Sequence, residues 1–215
     1  VLHIENASGI DADQEYLLFG HDDADITTTW TTTEAPNGGT DIQRLAREWR
    51  LDETGDVGTV DFIVDIAAMP ALPVGHTMYA LMVDADGDFS NGASVYELTL
   101  SAGTEYTVTG VDINDGDFVA IAAVNPTVQH TVSTSTGFEP NNAVIEVSLN
   151  FISQSARTVD YTTADGTALV AQPDYTAAAG LTLNIPAASS SASYTITITN
   201  DAVVESDETF TGTLS

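Results

Sequence analysis

The chain contains no cysteine and no lysine, and its basic side chains are Arg44, Arg47, Arg50, Arg157 and four histidines. Without cysteine, disulfides are excluded as a source of stability, as are a cysteine-based zinc finger and a thiol nucleophile. That absence does not fix the compartment. Without lysine, Lys–Asn isopeptide cross-links, Schiff-base chemistry and a phosphate-loop lysine are excluded. Four basic residues against 32 acidic ones give a net charge of −28. Such a chain neutralises few phosphates and its field repels polyanions, so nucleic acids are excluded as partners. Anionic membrane surfaces are excluded on the same ground. No apolar run approaches the roughly 18–20 residues of a membrane span, so no membrane insertion is expected. No basic leader or signal peptide opens the chain at Val1, so it reads as mature or excised.

What is present is a chain of 215 residues with 43% hydrophobic side chains. That fraction is close to the globular norm of roughly 45–50%, and the length suits one or two domains, each able to bury a core. The acidity implies self-repulsion unless cations offset it. Hard divalent cations with oxygen ligands are the natural counterpart, and Ca2+ comes first. A salt-rich or marine solvent, which screens carboxylates over short distances, is the alternative.

The fold class reads as all-β. Thr, Val, Ile and Tyr fill the periodic segments, and Gly, Asn, Asp and Pro separate them. Expected strands in the first half are Glu15–Phe19, Ile26–Thr31, Gly58–Ile66, Met78–Asp84, Ser94–Leu100, Glu105–Thr109 and Phe118–Val124. Val60, Phe62, Val64 and Ile66 alternate with Thr59, Asp61, Ile63 and Asp65, the pattern of a half-buried strand. One segment is ambiguous. Ile42, Leu45, Ala46 and Trp49 recur at helical spacing, with Asp41 as a candidate cap, yet Leu45, Arg47, Trp49 and Leu51 also alternate. The β-rich context favours a turn near Asp41 and a strand from about Ala46 to Leu51.

The pattern resets at Asn125–Pro126, which divides the chain into domains at 1–125 and 126–215. The second half suggests strands near Ala143–Leu149, Arg157–Thr163, Leu181–Ile185, Ser193–Thr199 and Thr209–Leu214. Short strands punctuated this way predict an antiparallel sandwich, immunoglobulin-like or jelly-roll-like, in each half.

The sharpest acidic spacing is Asp84-Ala85-Asp86-Gly87-Asp88, followed by Asn91-Gly92. Carboxylates at i, i+2 and i+4 around a glycine bend can converge on one ion, and EF-hand loops begin this way. The match is partial, because position 12 from Asp84 is Val95 rather than Glu. The alternative is an acidic strand-to-strand turn. Asp112–Asp117 is a weaker echo, and its Asp115-Gly116 pair favours a hairpin turn. His21–Asp25 reads as a solvated acidic turn. Arg44, Arg47 and Arg50 are expected to make internal ion pairs or to stack on Trp49 or Trp30. An exposed Arg/Trp patch for an acidic glycan or partner is the alternative.

From about Thr127 to Ser215 the residues resemble a Calx-beta domain. The motifs are Asp160–Ala168 (DYTTADGTA), Pro173–Ala178 (PDYTAA) and Ile198–Phe210 (ITNDAVVESDETF), in that order. The resemblance implies a β-sandwich with calcium at one end. The implied ligands are Glu139, Asp165, Asp201, Glu205 and Glu208, with the carbonyl of Val203. Three loops meeting at one sandwich end are able to supply the six to eight oxygens that calcium takes. Asn200 departs from the family, which often carries Asp there. The alternative makes Asp165 and Asp201 turn formers and Glu205–Glu208 a solvated bend. Family members also continue past the equivalent of Thr213-Leu214-Ser215 with a last strand. The sandwich is therefore expected to lack that strand, through excision or because a neighbour donates it. Val1–Asn6 and Thr127–Ser135 are the candidate donors.

In the first half, Tyr16–Asp22, Thr31–Pro36, Arg44–Arg50, Thr54–Val60 and Leu81–Ser90 resemble a module of large secreted bacterial surface proteins. That resemblance implies a location and no chemistry. No catalytic constellation stands out. The carboxylates are too abundant to single out a glycosidase pair, and His3, His21, His76 and His130 show no metal-binding spacing. There is no Gly-x-Ser-x-Gly elbow either. The sequence therefore points to a non-enzymatic segment of an extracellular bacterial adhesin or surface fibre, rigidified by Ca2+ through Asp84, Asp86 and Asp88 and the second-half set. Its expected partners are neighbouring copies or adjacent domains of the same surface protein. The alternative is a module that captures a glycan or a cell-surface protein.

Overall fold

The computed structural model describes residues 2–137, 141–200 and 206–215. The chain divides into two compact units, Val1–Pro126 and Thr127–Ser215. Among the described residues no helix is long and apolar enough to cross a membrane.

The first unit holds β1 (Leu2–Glu5), β2 (Tyr16–His21), β3 (Trp30–Thr31), β4 (Ile42–Thr54) and β5 (Thr59–Asp65). It continues with β6 (Met78–Asp84), β7 (Ser94–Glu97), β8 (Thr99–Ala102), β9 (Glu105–Asp112) and β10 (Phe118–Val124). One antiparallel sheet runs β1-β5-β9-β8. The other runs β7-β6-β10-β4-β2, with β3 on the same edge of β4 as β2. The core lies between them. Val60, Phe62 and Val64 of β5 have no exposed surface, while Thr59, Asp61, Ile63 and Asp65 are half-buried, as the alternation implies. Leu45, Trp49, Leu51, Leu81 and Ile121 pack into the same cluster from the other sheet. Burying each large apolar side chain contributes about 1.5–3 kcal/mol.

The ambiguous segment is one 13-residue strand, β4, which starts earlier than the expected Ala46. Its buried positions follow strand alternation: Leu45, Trp49 and Leu51 are buried and Ala46 is exposed. Glu48 stands opposite Ala120 and Arg44 opposite Ala122, so four residues of β4 span two of β10. Extra residues disrupt the ladder locally, yet Leu45 and Trp49, an even number of positions apart, keep to the same buried face. The expected strand Ile26–Thr31 shrinks to Trp30–Thr31. The Asp25 carboxylate accepts the Thr27 N–H and both the Thr27 and Thr28 hydroxyls. This local turn competes with ladder bonds. The expected strand Ser94–Leu100 is two strands in different sheets, β7 and β8, because the chain crosses over at buried Leu98.

The second unit holds β11 (Val128–His130), β12 (Ala143–Ser153), β13 (Arg157–Asp165), β14 (Leu181–Ile185), β15 (Ser189–Ile196) and β16 (Phe210–Leu214). Here β11-β12-β15 form one antiparallel set and β14-β13-β16 the other. The two faces meet through aromatics. Tyr161 of β13 stacks on Tyr194 of β15 with centroids 3.9 Å apart, and Tyr175 stacks on Phe210 at 4.6 Å. The buried Tyr194 hydroxyl is partnered by His130 Nε2 at 3.0 Å, which meets the requirement that a buried phenol find a partner. The protein is thus all-β, of sandwich type.

Both candidate donor strands are already paired within their own units. Leu2–Glu5 is hydrogen-bonded along β5, and Val128–His130 along β12. Each contributes backbone groups to its own sheet, so neither is the spare strand expected from the sequence.

Candidate metal-binding loops

The Asp84–Asp88 loop leaves the end of β6 and returns toward β7. Asp84 is buried, and its Oδ1 accepts the N–H groups of Asp86 and Gly87, both at 2.9 Å. Asp86 Oδ1 accepts the Asp88 N–H at 2.9 Å, and Asp88 Oδ1 accepts the Ser90 N–H at 3.1 Å and its hydroxyl at 2.6 Å. Gly87 takes φ +86°, where an L side chain is strained, and an added Cβ would also lie 3.4 Å from the Phe118 ring. The turn thus uses one oxygen of each aspartate.

Their protonation differs. Burial pushes the Asp84 carboxyl up from its ordinary value; the Asp86 and Gly87 N–H groups pull it partly back, and the neighbouring Asp86 carboxyl raises it again. Asp88 is held down by the Ser90 hydroxyl and N–H. A buried carboxyl beside a second one is stabilised by a proton or by a cation.

In the second unit Asp165 ends β13. Its Oδ1 accepts the Tyr175 hydroxyl at 2.8 Å and the Val170 N–H at 3.2 Å. Burial first, and then this hydrogen bond, push the Tyr175 phenol up. Asp174 Oδ2 accepts the Leu169 N–H at 2.6 Å. The Asp165–Ala168 turn lies against the strand entry at Thr209. Ala168 N–H bonds Thr209 O at 3.0 Å, and Thr209 N–H bonds Thr167 Oγ1 at 2.8 Å. A Cβ on Gly166 would sit 2.3 Å from Thr209 O, so only glycine permits the approach. Register places Phe210 opposite Asp165, with exposed Glu208 two residues before it.

Glu139, Asp201 and Glu205, and with them Val203, lie outside the described residues. Of the second-half set the structure therefore places Asp165 and Glu208. Among the described residues no group of three or more His, Asp or Glu side chains is gathered as a metal centre. The oxygen chemistry of both loops suits a hard cation. Tyr175, Thr167 and Thr209 belong to this loop cluster and were not among the expected site residues. Their signal was the Pro173-Asp174-Tyr175 motif, whose tyrosine anchors Asp165.

The other acidic segments are turns. Asp117 Oδ2 accepts the Asn114 N–H at 2.8 Å, and Asp22 Oδ1 accepts the Ala24 N–H at 3.1 Å. The Thr28 hydroxyl, followed by Thr27, holds the Asp25 carboxyl down to about 2. That hydrogen bonding is fully present above the ordinary carboxylate range and is lost as pH falls toward 2.

The arginines divide. Buried Arg44 pairs with Glu34 at 2.5 Å and Glu48 at 2.9 Å. Its guanidinium lies 5.2 Å from the Phe89 ring centroid, so the stacking partner is Phe89 rather than Trp30 or Trp49. Arg47 reaches Ala24 O at 2.7 Å and Asp23 at 3.7 Å. Arg50 is exposed and has no ion pair among the described residues.

These features define a class: an all-β sandwich-type protein with a structural or binding role and carboxylate-rich loops at its strand ends. Two family models match the chain, a domain of unknown function (DUF8202) over residues 2–117 and a Calx-beta domain over residues 126–215. The first spans more than half of the chain, which therefore belongs to that family and carries a Calx-beta domain after it. Calx-beta domains are, in general, calcium-binding β-sandwich domains. No curated protein and no solved structure matches the chain.

Proposed function

We propose that the chain is a segment of an extracellular bacterial surface protein, an adhesin stalk or fibre subunit, stiffened by calcium bound at its acidic loops. The observation that carries this reading is the Calx-beta domain, in which the Asp165 turn packs against the 207–210 segment. The net charge of −28 supports it, because bound divalent ions replace carboxylate repulsion by shared coordination. Asp165 and Glu208 would hold an ion in the second unit, together with Glu139, Asp201 and Glu205. Asp84, Asp86 and Asp88 would hold one in the first. Bound calcium supplies positive charge and crosslinks loops. The aspartates orient those loops through their turn bonds even before an ion arrives. In this reading the chain performs no catalysis.

The partners are neighbouring copies or adjacent domains of the same surface protein. Light scattering after size exclusion, with one sample split between millimolar calcium and chelator, tests assembly. Larger species in calcium that dissolve in chelator are the expected result. A monomer in both buffers would overturn assembly by this segment.

A further inference from the structure

The outer strand β2 carries a second, unrelated feature. Among the described residues its only strand partner is β4. The direction of its free backbone groups follows from β4. Leu51, opposite Phe19, donates its N–H to Asp117 O at 2.8 Å and accepts the Gly116 N–H at 3.1 Å, so both groups face away from β2. In an antiparallel pair, opposite residues exchange both bonds or neither. The N–H and C=O of Phe19 therefore point away from β4. Leu17 does the same, because Glu53 opposite it donates its N–H to Asp115 Oδ1 at 3.1 Å. His21, two residues on, continues the series, while Asp22 turns its N–H back to Glu48 O at 3.2 Å.

Free strand edges are usually blunted by lysine, proline or inward charges. β2 has none of these. Apart from His21 its exposed side chains are largely apolar: Tyr16 is 45% exposed, Leu18 59% and Phe19 44%, with Ile10 at 49% beside them.

A groove lies along each side of this strand. One, of about 440 Å³, is lined by Leu18, Gly20, Phe118 and the charged Glu48, Arg50 and Asp52, with Asp22 at its end. The other, of about 460 Å³, is lined mainly by Ile4, Ala7, Ile10, Leu17 and Phe19, with Glu5 and Glu15 at the rim. Successive side chains of an added strand point to opposite faces. Alternate residues would enter the acidic groove and the apolar one. In the first groove Glu48 is already paired with Arg44, which leaves Asp22 and Asp52 against Arg50 beside His21, and this acidic excess on a chain of net charge −28 favours cationic side chains. A second copy is a poor source of them, with four arginines, no lysine and a net charge of −28.

We propose that the edge of β2 is a strand-addition site for an extended segment of another protein that alternates basic and apolar residues. The proposal is independent of the calcium reading.

The test is fluorescence anisotropy with a labelled nonapeptide of alternating Lys and Val, added to the full chain in chelator. Saturable binding is expected, and a Lys–Pro peptide of equal charge, which offers few backbone donors, should bind at least about tenfold more weakly. Phe19→Pro deletes an N–H that makes no internal ladder bond and should weaken the Lys–Val peptide about tenfold or more, whereas Phe19→Val should stay within about threefold. If Phe19→Pro does not fold, the exposed pair Leu18→Lys and Asp52→Lys reverses the local charge and should produce the same loss. Absence of binding, or equal binding by the Lys–Pro peptide, overturns the proposal. So does full affinity in the variant that folds. A dimer abolished by the same substitutions would assign the edge to a second copy instead.

Discussion

Phe62→Ala is expected to lower the unfolding free energy of the first unit by about 3–5 kcal/mol, the range for truncating a fully buried aromatic. Phe62 has no exposed surface and sits between Val60 and Val64 on the inward face of β5. It pairs with Ile4 on one side and Val108 on the other, so its ring lies in the middle of a three-strand span. The surrounding side chains come from two hydrogen-bonded sheets and have little freedom to collapse into the cavity. Urea unfolding followed by tryptophan fluorescence reads this unit alone, since both tryptophans, Trp30 and Trp49, belong to it. A midpoint shift with unchanged slope is the expected form. A loss below about 1 kcal/mol would mean that the core is not built around this strand.

Arg44→Met is the second large effect, with an expected loss of about 3 kcal/mol, at the lower end for removing one partner of a buried ion pair. The arginine side chain is 4% exposed, while Glu48 and Glu34 are 22% and 47% exposed, so solvent moderates the loss. Methionine fills much of the volume beside Phe89, which leaves charge as the main deficit. Burial already pushes the Glu48 carboxyl up, and Arg44 is what lowers it. In the variant that restraint is gone. The folded protein then favours protonated Glu48, and stability falls as pH rises from the ordinary carboxylate value through the raised one. The deficit of Arg44→Met should therefore be largest at neutral pH and shrink under acid. Adding Glu48→Gln should recover part of it. A deficit independent of pH, with no recovery in the double variant, would show that packing rather than charge makes Arg44 necessary.

Much of the fold was legible in the sequence because alternation reports burial directly. The strands Met78–Asp84, Phe118–Val124 and Leu181–Ile185 have the bounds that their patterns suggest. What misled was local chemistry invisible to periodicity. Leu45 and Trp49, four apart, satisfy both a helical and a strand period, and exposed Ala46 shows that the strand period holds. The threonines after Asp25 have strand propensity yet serve its carboxylate in a turn. At Leu98 the chain changes sheets within a continuous apolar-polar alternation. The candidate sites show the same division. Spacing singled out the Asp84 loop, and the structure shows the turn bonds of an acidic strand-to-strand turn, the alternative reading of that spacing. Spacing had no means of showing that Asp84 is buried or that Asp165 is held by Tyr175. Those facts depend on strands distant in sequence.

Calcium bound at the acidic loops, as proposed, should stabilise the chain, and thermal unfolding in calcium and in chelator measures that effect. Extracellular calcium modules bind at roughly 10⁻⁴–10⁻³ M. At about 10 mM calcium, mass action then adds about 1.4–2.7 kcal/mol. That should raise Tm by about 5–14 °C in units of this size. Two variants localise the gain, Asp84→Asn and Asp165→Asn, in which the amide oxygen keeps the turn bonds but the charge is gone. Asp84 is raised in the folded state, so its ionisation disfavours folding as pH climbs above the ordinary carboxylate value. Asp84→Asn should therefore be at least as stable as the parent in chelator at neutral pH and should lose that loop's share of the calcium gain. Asp165→Asn should lose the share of the Calx-beta unit. An unchanged Tm between calcium and chelator would rule out calcium stiffening, as would an equal rise in magnesium or an undiminished rise in both variants.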